Sequence, residues 1–238
     1  MPLRNKIAYI TGGSKGIGFG IAKSLLDQGM HVAISGRHLQ PTQTAAKLLS
    51  DDTNRILAIA SDVRTPDDEH AAVKQILDKW GKLDVLVANA GIGHFAPVDT
   101  MTEKQWNETI DTNLTGVFHS VKACLDALKA SEGYIITMAS LAGTNFFPTA
   151  AAYNASKFGL VGFTQAIMLD LRYHRIKVTT IMPGSVSSFF NERIPSEEDE
   201  WKIQPEDIGQ MIVDLLKMPP RTLPSKIEVR PTRPPKIS

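Results

Sequence analysis

The chain has 238 residues, of which 42% are hydrophobic, and its formal net charge is +1. A chain of this length can bury one large core, and its balanced charge argues against a surface dedicated to nucleic acid. The one cysteine, Cys124, excludes an internal disulfide and a multi-cysteine metal site, so no metal is predicted.

Seven short apolar runs predict β-strands. Most of them are apolar on both faces, which is typical of parallel strands that helices cover on each side. The predicted strands are Ile7–Thr11, His31–Ser35, Ile56–Ala60, Val85–Ala88, Tyr134–Met138, Val178–Ile181 and Ile227–Val229.

Longer amphipathic runs between these strands predict helices. The predicted helices are Gly18–Gln28, Thr42–Leu49, Asp67–Trp80, Glu103–Leu128, Tyr153–Tyr173 and Glu206–Lys217. The alternation of strand and helix predicts the α/β class, as a doubly wound parallel seven-stranded sheet (Rossmann fold) with right-handed crossovers. We expect residues 1–238 to form a single domain that binds a dinucleotide and carries the catalytic residues.

Two segments lack a regular pattern. Residues 185–205 are expected to form a substrate-side loop, and their acidic run, Glu197–Glu200, is either a solvated face or part of a mobile lid. The proline-rich segment Pro231–Ser238 is not expected to extend any element. Residues 1–6 contain no signal-peptide core, and no apolar run is long enough to span a bilayer, so we expect a cytoplasmic protein that does not bind membranes.

Glycines cluster in the segment Thr11–Gly18, directly after the first predicted strand. Gly12 permits a tight turn, Gly16 lets the backbone approach a diphosphate, and Gly18 lets the next helix pack close to the strand. Because the spacing differs from the common GxGxxG fingerprint, the turn alone is a weak signal of dinucleotide binding.

This turn resembles the cofactor turn of the short-chain dehydrogenase/reductase family, and further signatures follow in the order typical of that family. They are Asp62 after strand 3, the turn Asn89-Ala90-Gly91 after strand 4, Asn113, Ser140, the pair Tyr153 and Lys157, and the segment Pro183-Gly184-Ser185-Val186. The resemblance covers nearly the whole chain. It implies an oxidoreductase that uses a nicotinamide dinucleotide.

The resemblance and the glycine turn together indicate a set of cofactor-binding residues. These are Gly12, Ser14, Lys15, Gly16, Ile17, Gly18, Arg37, Asp62, Val63, Asn89, Ala90, Gly91, Tyr153, Lys157, Pro183, Gly184, Val186 and Ser188. The resemblance assigns Asp62 to the adenine amino group. Ser188 stands where the family usually has threonine, and it keeps the hydroxyl that binds the carboxamide.

The end of the second predicted strand indicates which dinucleotide is bound. NAD-binding proteins usually carry an acidic residue there, which binds the ribose 2′-hydroxyl and repels a 2′-phosphate. Here the strand is followed by Gly36 and Arg37, with no acid. The Arg37 guanidinium can bind a 2′-phosphate, and Lys15 can add a second positive charge, which favours NADP(H).

Four residues form the predicted catalytic group: Asn113, Ser140, Tyr153 and Lys157. The spacing of four places Lys157 on the same helix face as Tyr153, so we expect its ammonium, together with the oxidised nicotinamide, to lower the pKa of the tyrosine. Tyr153 then exchanges a proton with the substrate oxygen, which Ser140 orients. The resemblance implies that Lys157 also holds the nicotinamide ribose and that Asn113 holds a water linked to Lys157.

The predicted function is the NADP(H)-dependent reduction of a carbonyl (a ketone or aldehyde, with 3-oxoacyl thioesters one candidate) to an alcohol. One alternative is an NADP-dependent alcohol or sugar dehydrogenase that acts oxidatively, and another is an NADP-binding sensor without catalysis. The chain ends without the Gly-Gly segment that 3-oxoacyl reductases of the family usually have, which weakens that assignment. The four phenylalanines at 146, 147, 189 and 190 suggest an apolar substrate wall, although core packing explains them nearly as well.

The expected partners are a small-molecule substrate and further copies of this chain. The predicted helices Glu103–Leu128 and Tyr153–Tyr173 carry more apolar surface than one sheet face needs. The family resemblance implies that such helices pair, so we expect a homodimer or a homotetramer.

Overall fold

The strands pair in parallel throughout, in the order β3-β2-β1-β4-β5-β6-β7. The computed structural model describes residues 3–233. Its strands are β1 (Ile7–Thr11), β2 (His31–Gly36), β3 (Ile56–Ala60), β4 (Val85–Ala88), β5 (Tyr134–Met138), β6 (Lys177–Pro183) and β7 (Lys226–Val229). The strand order reverses between β1 and β4, so the crevice for a ligand lies beyond the carboxyl ends of these two strands.

Helices cover both faces of the sheet. They are α1 (Gly16–Asp27), α2 (Leu39–Leu49), α3 (Pro66–Trp80), α4 (Glu103–Ile110), α5 (Gly116–Ser131), α6 (Ala151–Leu171) and α7 (Pro205–Lys217). One core lies between the sheet and the helices α1, α2 and α7, and a second core lies between the sheet and α3, α5 and α6. The predicted α/β class, the seven parallel strands and the single doubly wound domain are confirmed.

The prediction of one continuous helix over Glu103–Leu128 is wrong. A π-helical turn, Asp111–Thr115, separates α4 from α5, and α5 continues to Ser131. The other predicted elements differ from the observed ones mainly at their ends. The largest difference is that α2 begins at Leu39 and not at Thr42, followed by two smaller ones: α6 spans Ala151–Leu171, and β6 spans Lys177–Pro183.

Residues 185–205 connect β6 to α7 and contain two short 3₁₀ turns, Phe190–Glu192 and Glu197–Asp199. An isolated bridge between Val186 and Ile203 joins the two ends of the segment. In the predicted tail, residues 231–233 extend no element, and residues 234–238 lie outside the described range. Within residues 3–233, no helix is both long enough and apolar enough to cross a membrane.

Asp84 fixes the amino-terminal edge of the sheet. Its carboxylate accepts a hydrogen bond of 2.8 Å from the N–H of Ile7 and ion-pairs with Lys6 at 3.1 Å and Lys82 at 3.0 Å. Its backbone carbonyl accepts the N–H of Tyr134 at 2.9 Å. Burial opposes ionisation, but the Ile7 N–H and the two ammonium groups outweigh it and lower the pKa of Asp84. The side chain and the backbone carbonyl of this one residue therefore align the starts of three strands.

We predict that Asp84→Asn lowers the free energy of unfolding at pH 7 by about 2 kcal/mol, because charge-assisted hydrogen bonds are lost. The folded pKa of Asp84 lies below the unfolded value. Its stabilisation is therefore complete above the unfolded pKa and is lost as the pH falls through the folded pKa. Urea denaturation of the wild type and of Asp84→Asn at pH 7 and at about pH 3 measures the two free energies of unfolding, and their difference should be smaller at the lower pH. The exposed Asp78→Asn serves as the control, with an expected loss below about 0.5 kcal/mol. An equal loss in both variants at pH 7 would contradict the assignment.

Candidate active site

Hydrogen bonds join the turn after β1 to the turn after β4, at the point where the strand order reverses. The Thr11 hydroxyl accepts the backbone N–H groups of Asn89 and Ala90, both at 3.0 Å. The Asn89 side chain donates to the carbonyls of Thr11 at 2.9 Å and Gly12 at 3.1 Å. Both amide hydrogens of Asn89 are thus used inside the protein, and Asn89 acts by holding the two turns together.

The glycine turn is tightly packed against β4 and leaves its own backbone free of side chains. Gly12 has a φ of +67°, and a Cβ there would lie 2.9 Å from the Cα of Ala90. A Cβ on Gly18 would lie 2.4 Å from the carbonyl oxygen of Gly12. The turn leads into the N-terminus of α1, whose free N–H groups and positive dipole end attract phosphate. These residues fit the diphosphate of a dinucleotide.

The carboxyl ends of β2 and β3 carry the residues predicted for the adenosine end. Arg37 is exposed directly after β2, and Ser14 lies next to Gly36. Arg64 holds the carboxylate of Asp62, with its Nε 3.0 Å from each oxygen. The hydrogen bonds from Arg64, opposed by burial, lower the pKa of Asp62, and the positive charge of Arg37 contributes. The carboxylate predicted to bind adenine is therefore already engaged by Arg64.

Other residues predicted to bind the cofactor have side chains that pack inside the protein, so only their backbone is available to it. Val63 is buried against Gly116, where a Cβ would lie 2.7 Å from Cγ2 of Val63. Ile17 packs on the core beneath the glycine turn. The N–H of Gly184, the residue after Pro183, donates to the carbonyl of Val229 at 2.8 Å.

The segment after β6 returns to the glycine turn. A Cβ on Gly16 would lie 3.3 Å from the Cβ of Ser188. The ammonium of Lys15 lies 5.8 Å from the ring centroid of Phe189, which is a cation–π contact. The Lys15 charge therefore lies beside this segment at the mouth of the crevice.

The predicted catalytic residues come together at the carboxyl edge of β5. Ser140 follows this strand, and its Oγ accepts the N–H of Ala142 at 3.1 Å. This bond uses the Ser140 oxygen as an acceptor, so its hydroxyl hydrogen can be donated to another group. Tyr153 and Lys157 lie on α6, both buried, with the Lys157 ammonium 5.7 Å from the tyrosine ring centroid. The ammonium donates to the carbonyl of Met138 at 2.9 Å.

The Lys157 ammonium alone does not lower the pKa of Tyr153 in the described chain. Burial raises the pKa of Tyr153 above its ordinary value, and hydrogen bonding with Ser140 opposes this only in part. Burial also lowers the pKa of Lys157 to about 8, because an ammonium is poorly solvated in the interior. The phenol of Tyr153 therefore holds its proton at neutral pH.

Asn113 lies in the π turn, and its carboxamide is fully used. Its Oδ1 accepts the N–H of Ile92 at 2.9 Å, and its Nδ2 donates to the Ile92 carbonyl at 2.8 Å and to the Ser156 hydroxyl at 3.0 Å. Ser156 in turn donates to the carbonyl of Tyr153 at 2.8 Å. Asn113 therefore joins the turn after β4, which contains Gly91, to the helix that carries Tyr153.

Asn154 is a site residue that the sequence pattern alone does not reveal. Its Nδ2 donates to the carbonyls of Ala142 and Asn145, both at 2.7 Å. These bonds fasten the loop that presents Ser140 to α6, next to Tyr153. The available signal was a polar residue on the buried face of a helix, and the pattern could not identify its partners. Within residues 3–233, no group of three or more His, Cys, Asp or Glu residues could hold a metal ion.

The fold and this site define a class of dehydrogenases and reductases built on a Rossmann sheet. The family described as short chain dehydrogenase matches residues 6–199, and the chain belongs to that family. It is an enzyme of the oxidoreductase class, as its named relatives are.

Three relatives illustrate the range of the family. A 3-oxoacyl-(acyl-carrier-protein) reductase of Chlamydia trachomatis is 36% identical over 202 residues, which are 84% of this chain and 82% of that protein. An alcohol dehydrogenase of the archaeon Thermococcus sibiricus, solved with 5-hydroxy-NADP, is 26% identical with a TM-score of 0.91, over 98% of this chain and 100% of its own. A 3-ketoacyl-(acyl-carrier-protein) reductase of Brucella melitensis, solved with NADH, is 26% identical with a TM-score of 0.85, over 97% and 99% of the two chains.

We predict that one lysine of the cofactor-free protein titrates near pH 8, because burial disfavours the ammonium of Lys157. Carbon-13 NMR of lysine labelled at the ε-carbon measures this directly, and Lys157→Met should remove the signal. In the control, the exposed Lys23→Met, the signal that titrates near pH 8 should remain. A spectrum in which every lysine titrates together above about pH 10 would contradict the assignment.

Proposed function

We propose that this protein is an NADP(H)-dependent carbonyl reductase that converts a ketone or an aldehyde to an alcohol, with Tyr153 as the proton donor. The observation that carries the proposal is the buried phenol of Tyr153, which holds its proton beside the Ser140 hydroxyl and the Lys157 ammonium. A 3-oxoacyl thioester stays a candidate substrate, since the Chlamydia and Brucella relatives are named for it.

Each residue of the group has a separate task. Ser140 donates its free hydrogen to the substrate oxygen and orients the carbonyl. Tyr153 transfers its proton to that oxygen as negative charge develops on it. When bound, the nicotinamide supplies the hydride. Lys157, with a pKa near neutrality, can return a proton to the phenol after each turnover, and we assign it the ribose hydroxyls as well.

The raised pKa of Tyr153 supports the reductive direction as the one for which the site is prepared. A phenol that keeps its proton at neutral pH is prepared to act as an acid, which reduction requires. Oxidation of an alcohol requires the tyrosinate form, which burial disfavours. The NADP-dependent alcohol dehydrogenase alternative keeps support from the Thermococcus relative, and the observed burial favours the reductive direction.

The cofactor preference rests on the end of β2. Arg37 is exposed there, its charge reaches Asp62 at the end of β3, and the described strand end carries no acidic residue. A guanidinium in this position favours a 2′-phosphate over a 2′-hydroxyl. The remaining cofactor assignments from the sequence, including that of Ser188 to the carboxamide, stay predictions.

The assembly and location also stay predictions. Support for a homodimer or homotetramer comes from apolar side chains exposed on α5 and α6, such as Phe118 on the first helix and Phe158 and Leu169 on the second. We assign residues 185–205 to the substrate side, since Ser188 lies against the glycine turn. The cytoplasmic location rests on the sequence alone.

We predict that Arg37→Ala weakens NADPH binding about tenfold or more and leaves NADH binding nearly unchanged. A charge-assisted hydrogen bond contributes on the order of 1.5–3 kcal/mol, and only NADPH carries the phosphate that would accept it. Fluorescence titration of both cofactors against the wild type and the variant measures this. Equal losses for the two cofactors would mean that Arg37 does not read the phosphate.

We predict that Tyr153→Phe lowers turnover about 10²- to 10⁴-fold, which is the usual contribution of general acid–base catalysis. The ring remains, so folding and NADPH affinity should be kept. Lys157→Arg should keep only part of the activity, because the guanidinium is larger and does not titrate. Turnover with an active ketone, together with NADPH affinity, provides the measurement, and the exposed Tyr173→Phe is the control. Turnover near the wild-type rate in Tyr153→Phe would refute the mechanism.

A further inference from the structure

Aromatic rings surround the phenol of Tyr153. The ring centroid of Phe95 lies 5.4 Å from that of Tyr153, and the centroid of Phe190 lies 5.5 Å from it. Phe95 and Phe190 meet edge to face at 6.3 Å, and Phe147 stacks on Phe95 at 6.1 Å. We call Phe95, Phe147 and Phe190 the aromatic box. The buried Ala142 and Ala150 pack with Phe95, Tyr153 and Phe190, which makes the surroundings of the phenol apolar.

Phe190 fills the space next to the Tyr153 ring. The Tyr153 and Phe190 rings are tilted by 51° with their centroids 5.5 Å apart, so they are in direct contact and leave no room for a group between them. The Phe190 ring also reaches the backbone of Gly93, where a Cβ would lie 2.6 Å from its Cζ. A substrate that approaches the phenol from this side must therefore take the place of the Phe190 ring.

Phe190 is only loosely tied to its surroundings. It begins a 3₁₀ turn in the segment between β6 and α7, and its side chain is half-buried. Its N–H donates to Ser188 Oγ at 3.4 Å, which is long for a hydrogen bond. Phe95, in contrast, precedes Ala96, whose N–H donates to the carbonyl of Thr149 at 2.8 Å, and it contacts three other rings. The Phe95 ring is thus the fixed side of the site, and the Phe190 ring is the one that a substrate can displace.

We propose that the physiological substrate carries its carbonyl directly on a ring, as in an aryl ketone or aryl aldehyde, and that this ring binds in the place of Phe190 against Phe95 and Tyr153. This deepens the proposed function and rests on it. An aromatic ring restores the contacts with Phe95 and Tyr153 that are lost when Phe190 leaves. A flexible alkyl chain buries apolar surface area there but does not make the edge-to-face contacts. The reaction stays a two-electron reduction by NADPH: the carbonyl carbon gains a hydride, the oxygen gains the Tyr153 proton, and the ring is unchanged.

The test compares acetophenone with 2-octanone, two methyl ketones with the same number of carbons, in NADPH-dependent turnover. For the wild type, kcat/KM for acetophenone should exceed that for 2-octanone by about tenfold, as expected for two aromatic contacts. Phe95→Leu keeps an apolar side chain but removes the ring, so it should reduce the ratio to about twofold or less. Phe118→Leu, an exposed phenylalanine on α5, is the matched control and should keep the wild-type ratio.

A second variant tests the place of the ring. Phe190→Ala removes the side chain that must leave, so the KM for acetophenone should fall below that of the wild type. A KM that rises instead would overturn the placement, because Phe190 would then be part of the wall that holds the substrate.

The outcomes separate this inference from the proposed function. Turnover of 2-octanone or of an acetoacetyl thioester that equals or exceeds that of acetophenone would overturn the inference and leave the carbonyl reductase intact. A second outcome is that saturation-transfer NMR shows acetophenone binding that Phe95→Leu abolishes while no carbonyl compound is turned over. That result would support the ring site and contradict the proposed reductase. Neither binding nor turnover would overturn both.

Discussion

The hydrogen-bonded junction of Thr11 and Asn89 is the constraint on which the site depends. It satisfies backbone groups at the point where the strand order reverses, between the neighbouring strands β1 and β4. From there the turn after β4 continues to Ile92, which Asn113 holds, and Ser156 connects Asn113 to the carbonyl of Tyr153. These hydrogen bonds and the short backbone segment from Asn89 to Ile92 thus join the glycine turn to the catalytic helix.

Burial affects the two titrating groups of the site in opposite directions. It raises the pKa of Tyr153 and lowers that of Lys157 to about 8, so the proton rests on the phenol while the amine titrates near neutrality. The packing of α6 against the sheet therefore determines which group is the acid. A charge-pair argument from spacing alone predicts the opposite, because it counts the attraction and omits the loss of solvent around both groups.

The strands and the order of the motifs could be predicted because they depend on local patterns: apolar runs for buried strands, glycines for tight turns, and a spacing of four for one helix face. Contacts between distant segments could not. Asn89 binds the carbonyl of Thr11, 78 residues earlier in the chain, and Asn113 binds the hydroxyl of Ser156, 43 residues later, and no local pattern indicates either partner. The π turn at Asp111–Thr115 was missed because one extra residue hardly disturbs an apolar pattern.

The π turn also limits how this chain tolerates changes in length. It contains one residue more than an α-helical turn, and each helical residue turns the chain by about 100°. Deleting a single residue between 111 and 115 would leave an ordinary α-helix from α4 into α5, with every backbone hydrogen bond intact. The two helices would then be rotated against each other, and Asn113 would face away from Ile92. The deletion would make the helix locally more stable, but it would break the hydrogen bonds by which Asn113 holds Ile92. The π turn therefore resists shortening although a regular helix would be more stable there.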